Sequence, residues 1–560
     1  MPSDIWTSLR KQIELNLVKL GIDTSLLEEG GQGFGDWAVP CFMLTKQFKA
    51  QPNAIATDLA AKIRLKGITT KALGPYLNFF VDWPTVGNSL LADVNERYGR
   101  APRTNKVAVI DMSSPNPAHP FHMGTTRSTI IGETLARIMD SQGWKVKRFC
   151  YVNDLGRQAA TLLFGYKQMA NGEPDRKPDV WLGDIYFKMN QAVEENPTLK
   201  EKLEELLHSY EAGNKEVRAL GKKVFGLCLS GFRENWKQLG IKFDEIVWES
   251  QFVNDSKYIV EAIKNAGLTT ISDNALLLNL ESHGLPNTII VRSDGTGLYL
   301  TRDLACTLWK DKKFKPALNI YVVDEAQRIH FQQQFKTLEL IGHQDVAAKC
   351  VHLTYSTVLL EGRRMSARRG WQVLWDELLE EGVKKATEEV EKRWPELSIA
   401  EKQRRAHSIA LAAINYFILK YAPEKTVNFS WDAALAFEGD TGPYLQYTHA
   451  RAVSILRKAK VKRVGKFESK LLTDAKEVPL LKLLAQYPAN LSKAARDLRP
   501  HYLAGYLFSL ADAFNQFYQA LPVIRADKPL RAARMKLVEA VATVLKSGLE
   551  MLAISAPEKM

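Results

Sequence analysis

Apolar and polar positions recur along this chain with two periods, and the switches between them outline its elements. Ile5, Leu9, Ile13, Leu17 and Leu20 fall at helical spacing, residues 33–38 carry turn signals, and residues 76–81 predict a strand. Residues 1–90 therefore predict a small α+β domain. The apolar run 107–110 predicts a buried strand; after a Pro-interrupted loop, Ile130, Ile131, Leu135, Ile138 and Met139 lie on one helical stripe, and a second strand is expected around 146–151. Strand, helix, strand is the first half of a nucleotide-binding unit, with ligands expected at the strand ends. Residues from about 165 to 240 are charge-rich and helical and predict an insertion. Strand-rich sequence resumes through 287–291, and Ser293-Asp294-Gly295-Thr296-Gly297 suits a hairpin turn. Tyr299 and Asp303, one helical turn apart, share a face. The apolar strand 320–323 runs into Asp324, Glu325, Gln327 and His330, and from about 398 the chain is nearly all helix. The expected domains are 1–90, 100–395 and 396–560.

Composition narrows the function. At 560 residues the chain exceeds one core. Its 46% hydrophobic and 25% charged content is that of a soluble globular protein, without an apolar run long enough to span a bilayer. Asp4, Arg10 and Lys11 interrupt the start before a signal-peptide core forms. Five scattered cysteines with no CxxC pair indicate neither a disulfide framework nor a structural metal, so a cytoplasmic protein is expected. The 76 Lys and Arg against 63 Asp and Glu give a net charge of +13, which suits a polyanion partner.

His122 and Gly124 place an imidazole and a bare backbone at a helix start, where free N–H groups and the dipole favour a phosphate; alone, such a pair equally describes a plain helix turn. Arg363, Arg364 and Arg368 form a guanidinium cluster in a loop, able to neutralise phosphates and equally ordinary as a solvated turn. Tyr444, Tyr447 and Arg451 fall on one helical face, as in a stacking platform for unpaired bases or as part of a core.

Longer matches decide among these readings. Ser-Pro-Asn-x-Ala-x-Pro-x-His-x-Gly from Ser114, continued by Arg127-Ser128-Thr129-Ile130-Ile131-Gly132, resembles the HIGH box of class I aminoacyl-tRNA synthetases in the form used by arginyl-tRNA synthetases. Residues 428–432 and 438–451 resemble that family's join between catalytic and anticodon-binding domains, and residues 1–90, 503–518 and 556–560 resemble its two ends. The resemblance implies an α/β fold: a Rossmann-like parallel-sheet catalytic domain with a helical insertion, a small α+β N-terminal domain that touches tRNA, and an all-α anticodon-binding domain. It implies ATP-dependent activation of L-arginine to arginyl-adenylate and transfer to the 3′-terminal adenosine of tRNA(Arg), with Mg²⁺ accompanying ATP, no structural metal, no membrane contact and a monomeric state. His119, His122, Gly124, Thr125, His330 and Met365 match positions around ATP, and Arg364, Ser366 and Arg368 those of the KMSK loop that closes over pyrophosphate. Glu249, Tyr299 and Asp303 match the positions that hold the substrate guanidinium, a group offering only donors. Asp111, Ser113, Asn116 and Gln327 match those around its α-amino and carboxylate end. Tyr444, Tyr447, Arg451, Met560 and Phe79 match tRNA-contacting positions, although an aromatic pair such as Phe79 and Phe80 in a strand is more often core.

Three positions depart from the pattern. Thr125 replaces the second His of the HIGH box, Asp111 replaces the commoner Glu, and the lysines expected at the KMSK loop or just before the HIGH box are Ala367 and His119. Arg364, Arg368 or a protonated His119 is expected to substitute. These departures motivate a competing reading, a catalytically silent tRNA-binding paralogue. A tRNA-independent adenylyl transferase of the same nucleotide fold is a third, disfavoured by the C-terminal helices.

Overall fold

The computed structural model describes residues 4–31, 33–170, 172–360, 373–460 and 464–560, with the backbone of 363–364. At its centre five parallel strands lie in the order Cys350–Tyr355, Leu318–Asp324, Val107–Asp111, Lys145–Val152, Glu245–Trp248. The apolar run expected as the first strand is the middle one, because both of its faces are buried. Ile110 and Met112 pack with Ile130, Ile131 and Leu135 of helix Met123–Ser141, whereas Val109 packs with Leu300 and Leu304 of helix Tyr299–Phe314. From the middle strand the chain steps outward twice to one side, then returns to the other side for the last two strands. Strand order therefore reverses between Val107–Asp111 and Leu318–Asp324, and the C-terminal ends of these strands are where an open α/β sheet places its ligand crevice. The loop to His122 leaves the first of these strands; Gln327 and His330 leave the second.

Between the second and third strands in sequence, helices Arg157–Met169, Pro178–Glu195, Pro197–Glu211 and Lys215–Gln238 form the charge-rich insertion, which begins before residue 165. The turn at 293–297 closes with Gly295 N–H on the Arg292 carbonyl at 3.0 Å and makes a short hairpin, Val291 bridging Gly297 antiparallel and Leu298 N–H donating to the Ile290 carbonyl at 2.8 Å before the next helix begins. A second hairpin joins Thr269–Ser272 to Ala275–Leu278 through Asp273 and Asn274, whose φ of 49° and 58° supply the left-handed pair of a type I′ turn.

Helix Ile5–Lys19 buries Trp6, Leu9, Ile13 and Leu17 in the core beside an antiparallel sheet, Glu28–Glu29, Trp37–Pro40, Tyr76–Val81, Ile68–Leu73. Phe79 has no exposed surface: strand periodicity turns it into the core, so it is no platform for a base. The adjacent Phe80 is partly exposed, with Lys71 Nζ 5.3 Å from its ring centre. Helices Ile399–Leu419, Gly442–Lys458, Val478–Arg496, Pro500–Ala520 and Lys528–Met551 make up most of the C-terminal part. Lys482 reaches back from it to the buried Asp36 at 2.9 Å.

Arg127, on helix Met123–Ser141, is fully buried, and its guanidinium donates to four backbone carbonyls: Ser356, Thr357 at 3.3 Å, Pro423 at 3.0 Å and Lys425 at 2.9 Å. Burial lowers its pKa to about 10, which leaves it charged at neutral pH. One side chain thus ties the central helix to the segments entering strands Val358–Leu360 and Val427–Phe429. Arg127→Ala takes the donor from the Ser356 and Lys425 carbonyls, while those of Pro423 and Thr357 keep Ser356 N–H and Val427 N–H, and it is expected to cost about 3 kcal/mol. Thermal denaturation reads this as earlier melting; an unchanged melting temperature would show the clamp to be dispensable.

Candidate active site

The loop after strand Val107–Asp111 holds its polar groups tightly. Ser113 sits at φ 74°, a left-handed conformation rare for a residue with a side chain, and its buried hydroxyl accepts from Trp236 Nε1 at 3.1 Å. The Asn116 carbonyl oxygen accepts Ala118 N–H at 3.0 Å, and its amide donates to Gln158 Oε1 at 2.6 Å. Gln158 Nε2 also lies 3.4 Å from His119 Nε2, so this first-turn residue of helix Arg157–Met169 orients two expected site residues. Tyr186, from the insertion, sets its ring edge-on to His119 at 5.1 Å.

His122 caps helix Met123–Ser141. Its Nδ1 accepts Gly124 N–H at 3.1 Å, which assigns the ring proton to Nε2, 3.3 Å from Thr125 Oγ1. A Cβ at Gly124 would meet His122 Cε1 at 2.9 Å, so only glycine lets the ring fold over the backbone. Burial, then His119, lowers the His122 pKa to about 4; the imidazole is a neutral N–H donor at a helix N-terminus. Burial also lowers the pKa of His119, which corrects the expectation of a protonated His119: desolvation removes the charge it was to supply.

The chain beyond the arginine-rich loop pairs with the His122 segment. His122 bridges Leu374, Met123 N–H donates to the Val373 carbonyl at 3.1 Å, and Trp375 N–H donates to that of Phe121 at 3.0 Å. At the loop's entrance Arg363–Arg364 pairs antiparallel with Val358–Leu360. Met365, Ser366, Ala367 and Arg368 lie outside the described residues.

Across the crevice, helix Tyr299–Phe314 presents Tyr299, about half exposed, and Asp303 on one face. His330, expected at ATP, places Nε2 2.7 Å from Asp303 Oδ2, with its ring 4.9 Å from that of Tyr299. Glu249, 1% exposed, accepts Arg302 Nε at 2.6 Å; burial pushes its carboxyl up to about 7 against the pull of Arg302. Glu249, Tyr299, Arg302 and Asn153 line a cavity of about 130 Å³. Gln327 is exposed at the end of strand Leu318–Asp324. Asp111, expected at the substrate's α-amino end, instead directs Oδ2 to the buried Lys310 Nζ at 3.0 Å, while Ser114 Oγ approaches its Oδ1 at 3.5 Å. Lys310 extends the stripe Tyr299, Asp303, Thr307 along the same helix face, and this spacing was the readable signal for it.

On the C-terminal helices, Tyr447, Arg451 and Met560 line a cleft of about 770 Å³ with Tyr518 and Arg525. The Arg451 guanidinium lies 4.7 Å from the centre of the Tyr447 ring and 5.0 Å from that of Tyr518. Tyr444 packs instead at 6.0 Å from Phe508.

Comparison with known proteins gives three family matches. The model described as tRNA synthetases class I (R), catalytic domain, matches residues 85–431; the arginyl tRNA synthetase N terminal domain matches 7–81; and the DALR anticodon binding domain matches 445–560. The chain is 34% identical over 535 residues to an arginine–tRNA ligase of Halothermothrix orenii, covering 94% of each protein, and 37% identical over 546 residues to one of Methanoregula boonei, covering 95% of this chain and 96% of that one. The solved structure of Thermus thermophilus arginyl-tRNA synthetase superposes with a TM-score of 0.85 at 29% identity, over 99% of this chain and 100% of that one.

The partly buried imidazole makes stability depend on pH. Folding lowers the His122 pKa from 6.5 to about 4, so between these values the unfolded chain binds the proton more readily. The contribution of the neutral ring is complete above pH 6.5 and is lost as pH falls toward 4, at about 1.4 kcal/mol per pH unit. Asn at this position retains an acceptor for Gly124 N–H, so His122→Asn should lose stability less steeply over that window than wild type. Equal slopes in denaturation curves would contradict a buried neutral ring.

Proposed function

The chain belongs to the arginyl-tRNA synthetases, and from that premise we infer how its own residues serve an arginine–tRNA ligase. The carrying observation is two chemistries gathered past the C-terminal ends of one parallel sheet: a neutral imidazole N–H at a helix N-terminus, and the carboxylates Asp303 and Glu249 beside Tyr299. The first suits phosphate, the second a guanidinium. The arginine carboxylate attacks the α-phosphate of ATP and pyrophosphate leaves; the arginyl group then passes to the 3′-terminal adenosine of tRNA(Arg). His122 Nε2–H donates to a phosphate oxygen as charge develops there, and the bare backbone of Gly124 admits the nucleotide. Thr125 Oγ1, within reach of His122 Nε2, orients this donor, which gives the departure from the usual second histidine a role. Asn116, held by Gln158, meets the polar end of arginine together with Gln327. Arg363, Arg364 and Arg368 supply the positive charge over pyrophosphate that the lysines supply elsewhere.

Mg²⁺ accompanies ATP as the counterion of its phosphates. Tyr447, Arg451, Tyr518 and Met560 receive the unpaired bases of the anticodon, and the N-terminal part offers Phe80 and Lys71 to the rest of the tRNA. The five free cysteines fit work in the reducing cytoplasm, and the site is assembled within one chain, as a monomer requires. No helix among the described residues is long and apolar enough to cross a membrane. No observation favours the silent paralogue.

Arginine-dependent exchange of labelled pyrophosphate into ATP tests the reading. Exchange is expected with arginine and tRNA together and with no other amino acid; its absence under every condition, despite tRNA binding, would reject the ligase. Asp303→Asn removes one of the charges that meets the guanidinium. It should raise KM for arginine on the order of 10- to 100-fold while leaving that for ATP nearly unchanged; an equal rise in both would place Asp303 elsewhere.

A further inference from the structure

The phenol oxygen of Tyr151 is buried without a hydrogen-bond partner among the described residues, an exception that calls for a physical reason. Strand periodicity puts Tyr151, near the end of Lys145–Val152, on the same face as Phe149, the face covered by helix Tyr299–Phe314. Parallel pairing sets it beside Val247, two residues before Glu249. Its ring lies 6.2 Å from that of Phe252, at the far end of the turn Glu249–Phe252. Burial, then Asp303 and Glu249, push its pKa well above the ordinary tyrosine value, so the hydroxyl keeps its proton.

We propose that Tyr151 is a specificity-determining residue whose hydroxyl oxygen accepts an N–H of the arginine guanidinium, alongside Asp303 and Glu249. The inference rests on the arginine-ligase reading and adds to it the acceptor that completes the side-chain pocket. The chemistry fits the inventory. A guanidinium brings five N–H donors, while Glu249 already accepts Arg302 and Asp303 already meets His330. A neutral hydroxyl adds an acceptor without adding a further buried charge. An unpaired oxygen in the free protein is the partner that such a ligand satisfies, and an amino acid lacking a donor at that point would leave it unpaired, the arrangement that discriminates most strongly.

Tyr151→Phe keeps the ring and removes the oxygen. In aminoacylation assays on the full-length protein, KM for arginine is expected to rise on the order of 10-fold, with KM for ATP changed by less than about twofold. Without arginine, the variant is expected to melt no earlier than wild type, because only an unpaired hydroxyl has been lost. An unchanged KM for arginine would overturn the proposal, and so would earlier melting without arginine, which would reveal a partner within the chain. If wild type failed to charge tRNA with arginine, the ligase reading itself would fall, and this inference with it.

Discussion

A protein that holds a guanidinium must bury carboxylates, and a buried carboxylate is tolerated only when something cationic or donating stands beside it. This constraint organises one half of the crevice. Helix Tyr299–Phe314 contributes Asp303 to the site, Arg302 to Glu249 and Lys310 to Asp111, while His330 closes on Asp303 from the next helix. This helix supplies one acid and two cations: Asp303 and Lys310 lie on one face through Thr307, and Arg302, next to Asp303, turns to Glu249. These acids are therefore oriented within the chain itself, Glu249 by Arg302, Asp111 by Lys310 and Asp303 by His330.

The opposite half meets the opposite need with little formal charge. His122 is neutral, and its donor strength comes from the helix terminus and from a ring held by Gly124 N–H. The segments that flank the arginine-rich loop are both tied to the helix that begins at His122. The exit pairs with His122 through Leu374, and the entry is clamped by Arg127 on the Ser356 and Thr357 carbonyls. Because Arg127 also holds the carbonyls of Pro423 and Lys425, which follow helix Ile399–Leu419, one guanidinium joins the His122 helix, the strand before the arginine-rich loop and the C-terminal part.

Periodicity and motif recovered much of this from the chain alone. The middle strand, the His122 helix, the charge-rich insertion and the C-terminal helices were legible because each follows from a local repeat of apolar positions; so were His122 with Gly124 and Tyr299 with Asp303, whose spacing is itself the geometry. The hairpin at Asp273 and Asn274 went unread because its left-handed turn lacks the usual glycine. The protonation of His119 and the orientation of Phe79 were misjudged for a common reason: both depend on how much water remains after distant segments pack.

What the sequence determined by itself was the class of fold, the family and the types of side chain gathered around the crevice, since these reside in local pattern and in long motifs. Only the tertiary structure decided which acid faces the crevice and which is neutralised beneath it, which histidines are neutral, and which buried oxygen has no partner. Those outcomes turn on desolvation and on contacts such as Lys310 with Asp111, Arg302 with Glu249 and Arg127 with four carbonyls, between residues some fifty to three hundred positions apart. No repeat along the chain encodes such pairings, because their energy exists only once water has been removed from between them.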